Sequence, residues 1–117
     1  MSDHGTFRTV WSFTVSDVES WLVDATSAVE ILTQRPGFVD AAVIRSADEP
    51  EQFLMLSQWI DVGSYRRALS STESKMGVWP FLANMHDQSS AFETLIAADG
   101  SGITQYDTSV SEPPFPA

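Results

Sequence analysis

Residues 52–66 read Gln52-Phe53-Leu54-Met55-Leu56-Ser57-Gln58-Trp59-Ile60-Asp61-Val62-Gly63-Ser64-Tyr65-Arg66. The first ten alternate at period two. Phe53, Met55 and Trp59 fall on one side, Leu54, Leu56 and Ile60 on the other, which is a strand with apolar side chains on both faces. Asp61 is a helix N-cap type, and Val62, Tyr65 and Leu69 then mark the apolar edge of a helix. A two-sided strand running into an amphipathic helix implies a sheet with one face under helices and the other under something else.

The preceding residues extend this pattern. Residues 38–46 form a strand, with Phe38, Ala42 and Ile44 expected on one face and Val39, Ala41 and Val43 on the other. The polar turn Ala47-Asp48-Glu49-Pro50-Glu51 joins it to residues 52–61 as an antiparallel hairpin. Upstream, Arg35-Pro36-Gly37 stops a helix whose stripe is Val18, Leu22, Ala25, Val29 and Leu32, with Ser16 and Glu19 as a capping box. Residues 6–15 place Phe7, Thr9, Trp11, Phe13 and Val15 on one face of a first strand.

Downstream, residues 70–87 are irregular, with Pro80 at a helix start or break. Residues 90–97 read as a fourth strand. The expected domain therefore spans residues 1–98. A polar, proline-rich tail, 99–117, ends in Pro113-Pro114-Phe115-Pro116-Ala117.

The order β-α-β-β-α-β defines the α+β, ferredoxin-like arrangement. Two helices cover one face of its sheet. The other apolar face calls for a partner, and a second copy is the simplest one, because a twofold interface needs a single self-complementary patch. The expectation is a homodimer through sheet faces.

The 117 residues carry 6 Lys+Arg against 16 Asp+Glu, a formal net charge of −10. That balance supplies no basic face for nucleic acid or for an anionic membrane surface. No apolar run is long enough to cross a bilayer. With no secretory pattern at the start, the expected compartment is the cytoplasm. Cysteine is absent, and the only histidines are His4 and His86. No metal-ligand spacing, glycine-rich phosphate loop, nucleophile elbow or dinucleotide fingerprint is present, so the expected cofactor set is none.

Pro36-Gly37-Phe38 closing the first helix, Gln58-Trp59 at the end of a strand and Tyr65-Arg66 on the next helix resemble the antibiotic biosynthesis monooxygenase family. The resemblance covers about residues 6–97. It implies a dimeric α+β barrel with a pocket between sheet and helices in each subunit. It also implies cofactor-independent oxygenation of polycyclic phenols in some members and haem degradation or small-carbonyl chemistry in others. In the phenol-oxidising relatives the Trp and Tyr belong to the substrate pocket, a role that the resemblance carries to Trp59 and Tyr65. Those relatives have an Asn four residues before the Trp, where this chain has Met55. The haem-degrading pattern needs a His on the second helix, and residues 61–75 contain none.

The candidate catalytic residues are thus Trp59 and Tyr65, with His86 as the one internal imidazole able to act as a base near neutral pH. Met55, Trp11, Phe13, Trp79, Phe92 and Arg66 are the candidate substrate-binding residues, and their apolar members suit a flat hydrophobic ligand. The leading expectation is a cofactor-free monooxygenase for a small aromatic or enolisable apolar molecule. A dimeric ligand-binding or interaction module without catalysis is the alternative. An isomerase or decomposing enzyme for a small carbonyl compound, with His86 as base, is a third.

Overall fold

The computed structural model describes residues 4–110. The proline-rich end at 113–116 lies outside the described residues. The elements are β1 (Phe7–Thr14), α1 (Val18–Thr33), β2 (Phe38–Arg45), β3 (Gln52–Trp59), α2 (Val62–Leu69), α3 (Thr72–Gly77), α4 (Trp79–Leu82), β4 (Ala91–Glu93), β5 (Ile96–Asp99) and β6 (Gly102–Gln105). Four strands form an antiparallel sheet in the order β2-β3-β1-β4, the ferredoxin-like topology. None of the described helices is long and apolar enough to cross a membrane.

Period two places Thr9, Trp11, Phe13 and Val15 of the first strand against Phe53, Met55, Ser57 and Trp59 of β3, and all eight are buried. This is the helix-covered face. On the opposite face Val10, Leu54 and Leu56 are half-buried, and Ile44 and Phe92 are exposed. The two-sided reading of β3 is therefore correct.

The face assignment of β2 changes. Phe38 pairs with Trp59, Asp40 pairs with Gln58, and Val39 is the extra residue of a β-bulge. One inserted residue inverts the alternation. Phe38 therefore shares the helix-covered face with Ala41 and Val43, and Ala42 and Ile44 lie opposite.

Helix α1 starts one residue later than the expected capping box. Val15 is still sheet-bonded, its N–H reaching Glu51 O at 2.8 Å, so the chain turns only at Asp17. The Asp17 carboxylate accepts from Ser20 N at 3.2 Å. The buried stripe is Ala25, Ala28 and Leu32, with Trp21 packed against the core, and Leu22 is 40% exposed. Small Ala25 and Ala28 let the helix approach the sheet. Trp21 fills the wider end, with ring centroids 5.0 Å from Phe53, 5.3 Å from Phe13 and 5.4 Å from Phe81.

The second helical segment is three short helices. Asp61 caps α2, accepting from Ser64 N at 2.7 Å, as expected. Ser71 restarts the chain as the cap of α3, and Pro80 sits in the first turn of α4.

The fourth strand is shorter than 90–97. Only Ala91–Glu93 pairs with β1. Thr94 then turns inward, buried, with its hydroxyl accepting from Arg8 Nε at 3.0 Å. Residues from Ile96 onward form a separate two-stranded ribbon with β6. Its turn is built by Asp99, which accepts from Ser101 N at 2.8 Å, and by Gly102 at φ +150°. The division expected at residue 98 falls inside this hairpin.

Candidate active site

The register of β1 and β3 sets Phe7 beside Trp59, and the bulge brings Phe38 to the other side of Trp59. Phe38 meets the Trp59 ring edge-on at 5.3 Å. Tyr65, one turn into α2, lies over this group, 6.0 Å from Trp59 and 5.3 Å from Phe7 between ring centroids. Asp61 starts the helix at the point that aims Tyr65 back over the strand end.

Polar atoms thread this aromatic cluster. The Trp59 indole N–H donates to Ser57 Oγ at 2.9 Å, and Ser57 Oγ lies 2.5 Å from Thr9 Oγ1 across the strand pair. Burial pushes the Tyr65 phenol above its ordinary pKa, and a hydrogen bond from Trp11 pulls partly the other way. With its pKa raised, this phenol is protonated at neutral pH, a donor and not a base.

A cleft of about 720 Å³ opens beside the cluster, between the start of α2 and the β1–β4 edge. Phe7, Ile60, Val62 and Ala91 give it apolar walls, and Asp61, Arg66 and Glu93 line it with charge. Both carboxylates are committed. Asp61 holds the Ser64 amide, and Glu93 accepts from Ser109 N at 2.9 Å and from Thr108 Oγ1. Those hydrogen bonds hold both carboxyls below the usual range. The Arg66 guanidinium, by contrast, makes no hydrogen bond or ion pair among the described residues.

The structure brings Trp59, Tyr65, Met55 and Trp11 into one buried cluster, with Met55 directly opposite Trp11. Phe13 belongs to the same core but packs with Trp21 and Phe81 further along the sheet. Arg66 stands at the cleft. The other three lie elsewhere. His86 Nε2 is 2.9 Å from Thr14 Oγ1, at the opposite end of β1 from Phe7, a strand length of about 23 Å. Phe92 pairs with Arg8 on the far face of the sheet. Trp79 is half-exposed, donates to Leu69 O at 2.9 Å and lies under the Lys75 ammonium.

Sequence reasoning missed Phe7, Phe38, Ser57 and Thr9 as members of the cluster. The signal for Ser57 was present, since it is a polar residue at an inward position of an otherwise apolar stripe. Among the described residues no group of His, Asp and Glu is arranged to hold a metal ion.

The four-stranded antiparallel sheet in the order β2-β3-β1-β4, with helices on one face, defines the fold class as ferredoxin-like α+β. Residues 17–78 match the family model of antibiotic biosynthesis monooxygenases, and the chain belongs to that family. No curated protein matches it in sequence. Among solved structures it is similar to a conserved protein from Methanosarcina mazei Go1, at 24% identity and TM-score 0.62, over 76% of this chain and 90% of that one. It is also similar to a mutant form of SnoaB, a cofactor-independent oxygenase from Streptomyces nogalater, at 17% identity and TM-score 0.59, over 95% and 100% of the two chains. At these identities the likeness concerns the fold.

Proposed function

We propose that this chain is a cofactor-independent monooxygenase of the cytoplasm, acting on a small aromatic, phenolic or enolisable apolar molecule. The substrate enters the cleft between α2 and the β1–β4 edge and lies against the Phe7–Tyr65 side of the aromatic cluster. The observation that carries this reading is the placement of Tyr65, whose ring packs at 5.3 Å between centroids on Phe7, a residue that lines the cleft. Its hydroxyl can donate to an oxygen that gains charge as the substrate becomes an anion. The Trp59 N–H is engaged by Ser57, so its share of the site is its ring, held still for stacking.

The chemistry balances without a further reductant. An anthrone-type substrate has two hydrogens on its reacting carbon. Both leave with one atom of dioxygen as water, and the other oxygen atom becomes the new carbonyl. The four electrons that reduce dioxygen come from that carbon. The protein's part is desolvation, orientation and the Tyr65 hydrogen bond.

The functional unit in this reading is a homodimer sealed through the outer sheet faces, where Val10, Leu54, Leu56 and Ile44 form an apolar row. The second reading is a non-catalytic ligand-binding or interaction module. It draws on the closure of the cluster, in which Trp59 and Met55 are 0% exposed. His86, at the far end of β1, supports no role at this cleft.

Oxygen uptake with a panel of anthrones and hydroxynaphthalenes separates these readings. The monooxygenase reading expects uptake that Tyr65→Phe lowers by about tenfold or more, the scale of one lost transition-state hydrogen bond. Turnover indifferent to Tyr65→Phe contradicts the assignment. Binding without any uptake favours the module.

A further inference from the structure

Tyr65 is not among the residues that line the cleft, yet Phe7 both lines that cleft and packs on the Tyr65 ring, at 5.3 Å between centroids and 35° between planes. We infer that Phe7 is a gate between the cleft and the Tyr65 hydroxyl, and that the slot left when its ring swings aside sets the size of the ligand that gets through.

Three features support this. Phe7 is the first residue of β1 and is only half-buried, whereas Thr9, Trp11 and Phe13 on the same face are buried. Phe7 packs against the core from its edge, so fewer side chains enclose its ring than enclose a fully buried one. The β4 residue paired with Phe7 is Glu93, whose carboxylate is drawn toward Ser109 and Thr108, so no second aromatic ring from that strand backs Phe7. The Phe7–Tyr65 contact is a tilted ring pair, a geometry that a ligand ring can reproduce on Tyr65 once Phe7 moves. The displaced ring is replaced by one of like size, so a single flat ring or the edge of a fused system fits better than a branched aliphatic.

The choice of ligand rests on the function proposed above; the gate itself rests on the geometry. The test uses the full chain in a Tyr106→Phe background, which leaves Tyr65 as its only tyrosine. Phe7→Ala and the milder Phe7→Leu are compared with the parent by two readouts, phenolate absorbance against pH and equilibrium binding of 2-naphthol, with circular dichroism to confirm the fold. The gate expects the Tyr65 ionisation to move down toward an ordinary phenol in Phe7→Ala and by less in Phe7→Leu. It also expects 2-naphthol to bind about tenfold tighter to Phe7→Ala, a gain abolished when Tyr65→Phe is added. An unchanged ionisation in both folded variants overturns the inference, as does a shifted ionisation with no gain in 2-naphthol binding, which makes Phe7 a packing residue only. Tyr65-dependent binding of 2-naphthol without oxygen uptake by any substrate leaves the gate standing and sinks the monooxygenase reading.

Discussion

Trp59 and Ser57 lie two residues apart on one face of β3, and the indole N–H of the first is held by the hydroxyl of the second at 2.9 Å. The same hydroxyl meets Thr9 across the strand pair, so a three-member polar chain runs beneath the aromatic cluster. All three residues are buried, so each hydrogen bond replaces one that water would otherwise supply. This chain holds the Trp59 ring at a set angle beside Tyr65.

Replacing Ser57 by Ala leaves a buried indole donor and the Thr9 hydroxyl without that partner. The expected loss is about 1–3 kcal/mol of folding stability, read from urea denaturation. Ser57→Thr keeps the hydroxyl and is expected to lose less. An Ala variant as stable as the parent contradicts the role given to this bond.

Gly37 closes the Pro36-Gly37-Phe38 turn at φ +87°, and a Cβ built there runs into the Ser64 side chain on α2. Gly37→Ala therefore combines a left-handed backbone cost of about 1–2 kcal/mol with a steric contact at the base of the helix that carries Tyr65. The expected loss exceeds that backbone cost alone. Gly100→Ala is the control. Nothing lies within 4 Å of a Cβ at that position, so near-parent stability is expected.

The raised Tyr65 pKa, caused first by burial, sets a limit on the alkaline side. An unfolded tyrosine ionises at about pH 10. Below that value the phenol is protonated in both states and stability is unaffected. Above it the unfolded chain loses the proton first, so stability falls as pH rises toward the folded value. Tyr65→Phe is expected to remove this component. The check is urea midpoints measured between pH 8 and 11 for both proteins, and parallel curves contradict it.

The outer face of the sheet presents Val10, Leu54 and Leu56 half-buried beside the exposed Ile44. If a second copy covers this row, Leu54→Asp places a charge at the centre of the interface. The parent is expected to sediment as a dimer at micromolar concentration and the variant as a monomer. A parent that is monomeric there contradicts the homodimer.

Much of the sheet was legible because burial imposes period two. The residues that the alternation of β1 and β3 sends inward are the ones in the core. The turn at 47–51 and the Asp61 cap were readable because their residue types have local conformational reasons. Three features were not. The bulge at Val39 adds one residue and leaves no trace in the alternation. Ser16 and Asp17 are both good caps, and the choice between them was made by how far Val15 stayed bonded to the sheet. The β5–β6 hairpin hid in a polar stretch, although Asp99-Gly100 is a turn pair with β-branched and small residues on either side.

The site divides in the same way. The pairing of Trp59 with Tyr65 came from the family resemblance, and the structure places the two rings together. Phe7 and Thr9 reach the cluster through the register of β1 on β3, which spacing within one strand does not contain. His86 depends on where an irregular stretch crosses the sheet. That stretch runs along β1, with His86 N bonded to Ser12 O at 2.8 Å, and so ends far from Tyr65.

The central claim is that this chain, with no cofactor added, uses Tyr65 to pass dioxygen into a small aromatic substrate. Incubation of the purified protein with an anthrone under isotopically heavy dioxygen, followed by mass spectrometry of the product, tests it most directly. The account predicts one heavy oxygen atom per product molecule, formed at a rate well above the protein-free control and about tenfold or more slower in Tyr65→Phe. Product without the label, or labelled product formed equally fast by Tyr65→Phe, would contradict it.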